Sequence, residues 1–259
     1  MKKITKILSL VLAVAMLALA LSSCGITSEA RVAAAMLKMT LVKKMDCTAN
    51  VNITLTMAGN TVEMPMTVVM KTDTTDENNP LSYTEISMTV GGKTQKTTSY
   101  YRDGYLYTDE FGGKIRLKKD YEGSTESANL VDIAGIFGSK QSDVDESFTI
   151  TENKDGTLSV KMTVSKDEFE KENPGFSESL AASLAGKGTV DFSDVIFEYI
   201  VDKNNNISKI KAEMNMEMTV QGQTVDILYD MEFNYTAIDK NFEVPAPEDV
   251  TEYVPSGRD

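Results

Sequence analysis

The sequence predicts an α+β chain that is mostly antiparallel β structure, on three observations. Long runs alternate apolar and polar residues with period two, glycine-bearing turns separate them at hairpin spacing, and few stretches have helical periodicity. The first structured element is a helix over Glu29 to about Lys44. It is alanine-rich and free of Gly and Pro, with Val32, Ala35, Met36 and Met39 at helical spacing.

From about Ala49 the period changes to two. Val51, Ile53, Leu55 and Met57 alternate with polar residues, and Ala58-Gly59-Asn60 makes a turn. Val62, Met64, Met66, Val68 and Met70 then form the return strand. Pro65 sits on the polar face of that strand, where a missing N–H predicts an edge or a bulge.

The turn chemistry recurs. Leu55-Thr56-Met57-Ala58-Gly59-Asn60-Thr61 is echoed by Met88-Thr89-Val90-Gly91-Gly92-Lys93-Thr94 and by Met218-Thr219-Val220-Gln221-Gly222-Gln223-Thr224. Each copy ends a strand, turns through glycine and reopens with threonine, so one hairpin design is reused along a meander. Further hairpins are signalled by Asp103-Gly104, Gly112-Gly113 and Asp155-Gly156. The two longest strands come last, one carrying Ile210 to Val220 and one Val225 to Tyr235.

Helices interrupt the meander twice. Glu126 to Phe137 carries Leu130, Ile133, Ala134 and Phe137 on one face, with Gly138 as its stop. Ser165 and Glu168 form a capping box for a short helix, and Asn173-Pro174 opens another that ends before Gly186. Phe242 to Pro247 reads as extended chain.

Composition restricts the chemistry. The 259 residues include no histidine and no tryptophan, so Ser-His-Asp and Cys-His catalysis and imidazole-based zinc sites are excluded. The expectation is a non-catalytic protein with no cofactor. Cys47, one of two cysteines, precedes an apolar alternation and reads as a small buried hydrophobe. Net charge is −13, so nucleic acid is not an expected partner.

The N-terminal segment is read separately. Lys2, Lys3 and Lys6 precede an apolar run from Ile7 to Leu21, a secretion signal in layout and shorter than the roughly 20 residues of a membrane span. Leu21-Ser22-Ser23-Cys24 resembles the lipobox of bacterial lipoproteins, which implies cleavage before Cys24 and a diacylglycerol on its sulfur. The organisation expected is therefore a signal peptide at 1–23, a lipid-anchored tether at 24–28, and a single β-rich domain at 29–259. The chain would be a monomer held to a bacterial membrane, on the extracytoplasmic side, by the lipid on Cys24. Removing residues 1–23 takes three lysines and no acid, so the net charge falls from −13 to −16.

The apolar face is rich in methionine where β-branched and aromatic residues are the ordinary choice. Met57, Met64, Met66, Met70 and Met88 fall on it, as do Met162, Met214, Met216, Met218 and Met231, with Ile227 and Tyr229 beside them. Unbranched, polarisable side chains suit irregular contents. Two readings stay open: a cavity for acyl chains or another apolar ligand, and a core packed under helices.

A helix followed by a long hairpin meander resembles the Lol-type lipoprotein carriers and related lipid-binding envelope lipoproteins. The stretch Tyr100-Tyr101-Arg102-Asp103-Gly104-Tyr105-Leu106-Tyr107 and the Asp239-to-Pro245 ending are similar to segments of those proteins. The resemblance implies a strongly curved, half-open barrel-like sheet lidded by a few helices, binding or carrying a hydrophobic, lipid-like ligand. The alternative is a surface interaction or sensor module with a packed, ligand-free interior.

Three further candidates have plainer readings. Asp202 to Asn206 starts like a calcium loop with Glu213 twelfth, but Ile207 stands where glycine is needed, so a hairpin turn is expected. Asp143, Asp145 and Glu146 read as a solvated loop. Lys114, Arg116 and Lys118 form a basic stripe, either a charged strand exterior or a contact for phospholipid headgroups.

Overall fold

The structure, a computed structural model, describes residues 27–90, 92–110, 113–118, 148–172, 188–220 and 222–255. The expected signal segment, Cys24, the helices expected at 126–137 and from Asn173, and the 143–146 carboxylates lie outside these residues. No helix among the described residues is long and apolar enough to cross a membrane.

The first element is α1 (Ser28–Thr40), followed by β1 (Lys44–Met57), β2 (Asn60–Asp73), β3 (Leu81–Val90) and β4 (Lys93–Arg102). Next come β5 (Tyr105–Glu110), β6 (Gly113–Lys118), β7 (Phe148–Glu152), β8 (Leu158–Val164) and α2 (Lys166–Glu172). The chain continues through β9 (Gly188–Phe192), β10 (Val195–Val201), β11 (Ile207–Val220), β12 (Gln223–Ile238) and β13 (Val254–Pro255). All the strands belong to one curved sheet in the order β13-β6-β5-β4-β3-β2-β1-β12-β11-β10-β8-β7, with β9 on the distal half of β11. Every pairing is antiparallel except β13 with β6, and the path does not close into a barrel.

The mostly antiparallel half-barrel expectation therefore holds, and among the described residues the helical lid is minimal. Two α-helices are described, of 13 and 7 residues. α1 also ends earlier than its periodicity suggests. The Leu41 N–H closes the last turn onto Lys38, and Lys44 already opens β1.

The three echoed segments fold alike. Gly59, Gly92 and Gly222 sit in the left-handed region with φ of 80°, 76° and 80°, where an L side chain would strain the turn. Beneath each turn a pair of threonine hydroxyls meets across the strands: Thr56–Thr61 at 3.2 Å, Thr89–Thr94 at 2.9 Å and Thr219–Thr224 at 3.3 Å. All three tips point the same way, because β1, β3 and β11 run parallel to one another in the sheet. The opposite end is the base.

α1 lies across the base of the inner, apolar face. Its Thr27 hydroxyl caps Ala30 N–H, and Val32 and Ala35 are buried against the sheet. Charge fixes its position. The Arg31 guanidinium donates to the Gly156 carbonyl, the Asp202 carbonyl and Asn205 Oδ1, each at 3.0 Å, and so clamps two hairpin turns at once. Lys38 Nζ adds bonds to the Asn204 carbonyl at 2.6 Å and Asn206 Oδ1 at 3.2 Å.

Asp202 to Asn206 is a hairpin turn, as expected. The Asp202 carboxylate accepts from the backbone N–H of Asn204 and Asn206, both at 2.8 Å, so it is used within the turn. Pro65 is explained by register. Met66–Met88 is the last β2–β3 pair, so Pro65 lies just beyond it, where β2 has β1 alone beside it.

After β12 the chain turns back over the outer face. The Asp239 carboxylate receives the N–H groups of Lys43 and Lys44 at 2.8 and 2.9 Å. Phe242 then lies about 5.8 Å from the Lys44 ammonium and 5.9 Å from that of Lys71. Tyr253 is buried edge-on against Tyr107 at 5.3 Å, next to β13. The stretch from Phe242 to Pro247 has no helix or strand, in keeping with extended chain.

Arg31→Ala removes three charge-assisted bonds and should lower unfolding stability by about 2–3 kcal/mol in urea titration. Lys38→Ala, at an exposed site, should cost less than about 1 kcal/mol. An equal effect of the two would contradict the clamp assigned to Arg31.

Candidate apolar binding face

Strand register assembles the inner face from rungs that cross β2, β1, β12 and β11. The deepest described here is Val68–Ala49–Phe233–Ile210, every member buried. One step toward the tips is Met66–Val51–Met231–Ala212, in which Met231 is fully buried and Met66 is half-buried. Next comes Met64–Ile53–Tyr229–Met214, where all but Met214 are half-buried. In the rung Val62–Leu55–Ile227–Met216, Val62 is 54% exposed while Ile227 and Met216 remain covered. The last rung is Asn60–Met57–Val225–Met218, with Met57 46% exposed.

The gradient is diagonal. The β11 and β12 side is covered to near its tip, and α2 contributes there, since Phe169 stacks edge-on against Phe192 of β9 at 5.5 Å. The β1 and β2 side opens over three rungs, and β3 extends the opening with half-buried Ile86 and Met88. The result is an apolar corner about four residues long and three strands wide, or roughly 14 Å by 10 Å.

The methionines named from sequence therefore share one face but separate by depth. Met70, Met162, Met214, Met216 and Met231 are core, as is Ile227. Met57, Met64, Met66, Met88, Met218 and Tyr229 are accessible to different degrees. Period-two patterning assigns a residue to a face, and depth along the strand depends on where α1 and α2 rest. Leu55, Ile53 and Val62 of the open corner were not singled out by sequence. Their alternation places them on the face, but ordinary strand residues carry no further signal.

The basic stripe lies on the other side of the sheet. Lys114 is ion-paired with Glu252 and sits 5.6 Å from the Tyr253 ring, while Arg116 lies 5.9 Å from Tyr105. Lys118 belongs to the same strand face. Lys114 thus helps hold the C-terminal segment.

The outer face has a polarity gradient of its own. Toward the base, acids are matched by Lys44–Asp73 at 2.7 Å, Lys71–Asp46 at 3.1 Å and Lys209–Glu232 at 2.8 Å. Toward the tips, Asp191, Glu217 and Asp226 are direct cross-strand neighbours in one row. They border an open groove of about 570 Å³ that also includes Thr54, Asn215 and Leu228. Lys166 pairs with Asp191 and holds that carboxyl below its usual range.

No group of three or more acids or cysteines among the described residues could hold a metal ion. Cys47 is buried, and burial, with the Asp46 charge nearby, pushes its thiol up to about 12. Burial likewise raises Tyr199, Tyr229 and Tyr235, so these phenols stay neutral.

Residues 30–254 match DUF6612, described as a family of unknown function. No curated protein matches the sequence. Among solved structures, LprF from Mycobacterium bovis is similar at 14% identity and a TM-score of 0.43, over 85% of this chain and 98% of that one. A DUF1329 family protein from Desulfovibrio piger is similar at 11% identity and a TM-score of 0.28, over 81% and 93% of the two chains. A protein described as an outer membrane lipoprotein-sorting domain from Vibrio parahaemolyticus is similar at 11% identity and a TM-score of 0.25, over 84% and 95%.

Two predictions follow from burial. Met231→Ala should cost about 2–5 kcal/mol and Met57→Ala less than about 0.5 kcal/mol, read by denaturant titration. With Cys24 replaced by serine, the Cys47 thiol should resist a thiol reagent at pH 8 until the protein is unfolded. Its raised value favours the folded state fully below the ordinary thiol range, and that contribution fades as pH rises toward 12. Rapid labelling of the native protein would contradict the buried thiol.

Proposed function

We propose that this chain, which belongs to the DUF6612 family, binds or carries a hydrophobic, lipid-like ligand at the cell envelope and performs no covalent chemistry. The observation that carries the reading is the open corner of the inner face. There, apolar side chains continuous with the core run out to the exposed Met57 and Val62. Its length of roughly 14 Å compares with about 15 Å for half the hydrocarbon thickness of a bilayer, the reach of one acyl chain. Four methionines in that corner, Met57, Met64, Met66 and Met88, supply an adaptable lining.

The expected lipid on Cys24 fits this placement. α1 begins at Ser28 and is clamped at the base by Arg31, so a tether from Cys24 would hold the base toward the membrane and the open corner away from it. Ligand would then be received or handed on at the side facing away from the anchor.

A second reading is favoured by the outer face. Lys166 pairs with Asp191, but Glu217 and Asp226 set like charges directly opposite one another, which destabilises a sheet and suits a basic protein surface.

The first reading is tested on the full chain carrying Cys24→Ser, purified without detergent. Native mass spectrometry should find a non-covalent lipid-sized addition, and the neutral apolar dye N-phenyl-1-naphthylamine should bind with enhanced fluorescence. Leu55→Asp, at a half-buried site, should weaken dye binding at least tenfold while the protein stays folded. A bare mass together with no dye binding would exclude the ligand reading.

A further inference from the structure

We infer that the ligand is an amphiphile with an uncharged, hydroxyl-bearing headgroup, with its chain on the apolar corner of β1 to β3 and its head on β4. The inference rests on the ligand reading above and specifies its chemistry.

The inner face changes character abruptly at β4. Met88 and Ile86 of β3 are paired with Gln95 and Thr97, and the next rung pairs Thr84 with Ser99. Ser99 in turn faces Thr108 of β5. One strand spacing, about 4.8 Å, thus separates methionine from a ladder of amide and hydroxyl groups on the same side of the sheet. Thr97 and Ser99 are half-buried, and neither hydroxyl has a hydrogen-bond partner among the described residues. Such groups are free to pair with a bound head, and an apolar tail next to them cannot do so.

Charge is nearly absent from this surface. From Met45 onward, the inner-facing positions of β1, β2, β3 and β4 carry one ionisable side chain of formal charge, Lys93 at the tip. The corresponding outer positions carry Glu63, Glu85, Lys96 and others, in a chain with 26 basic and 39 acidic residues. An anionic head settled over Thr97 and Ser99 would lose water with no cation beside it, whereas an uncharged polyol would exchange water for Thr, Ser and Gln. The ligand class is therefore a monoacylglycerol-like amphiphile rather than a free fatty acid.

The test displaces N-phenyl-1-naphthylamine from the full chain carrying Cys24→Ser, using monopalmitoylglycerol, palmitate and methyl palmitate, each below its micelle concentration. Monopalmitoylglycerol should displace the dye at about tenfold lower concentration than the other two, the factor expected of two hydrogen bonds. The double change Thr97→Val with Ser99→Ala should erase that advantage and leave methyl palmitate unaffected. Should the double variant not fold, Ser99→Ala alone should remove part of the advantage. Equal displacement by all three, or a folded variant that keeps the advantage, would overturn the headgroup assignment while leaving ligand binding intact. Absence of dye binding, or no displacement by any of the three, would overturn both.

Discussion

The pairing of β1 with β12 is the constraint on which the rest depends. Thirteen residue pairs, from Met45–Ile238 to Met57–Val225, join strands separated by roughly 180 residues of chain. On one side of this seam hangs the meander β2 to β6, and on the other the strands β11, β10, β8 and β7. Because side chains alternate with period two, a slip of one residue at the seam would put Met231 and Phe233 against solvent and Asp230 and Glu232 in the core. The register instead aligns Ala49, Val51 and Ile53 with Phe233, Met231 and Tyr229. Both halves therefore present their apolar faces to the same side, and a single core results.

That core is then covered unequally. α1 is held at the base by Arg31 and Lys38, and α2 lies near the tip of β11 through Phe169 and Phe192. The corner of β1, β2 and β3 has neither, so apolar surface continuous with the core reaches solvent there. The C-terminal segment, which could have served as a lid, is committed to the outer face by Asp239, Phe242 and Tyr253. The proposed binding function rests on this incomplete coverage.

Much of this was legible in the sequence because it is local. Alternation identified the strands, the Gly-x-Thr echoes identified three hairpins, and Pro65 marked the point where β2 loses a neighbour. Ser165 and Glu168 located α2. Long-range features left no local trace. Nothing near Val51 announces Met231 as its partner, and nothing near Phe242 announces Lys44 and Lys71. The same limit applies to the site. Met66 and Met231 have the same parity and the same chemistry, and only the position of the helices makes one accessible and the other core. The change from methionine to hydroxyl at β4 was written in the sequence, but it gains meaning only when Met88 is seen opposite Gln95.

The central claim is that the open corner, and not the core, receives a ligand. It is tested most directly by titrating monopalmitoylglycerol into the chain carrying Cys24→Ser with carbon-13-labelled methionine methyl groups, and following each resonance by NMR. The account predicts shifts at Met57, Met64, Met66 and Met88, with Met70, Met214 and Met231 unmoved. No shift at any methionine, or shifts at the buried ones as large as those at the corner, would contradict it.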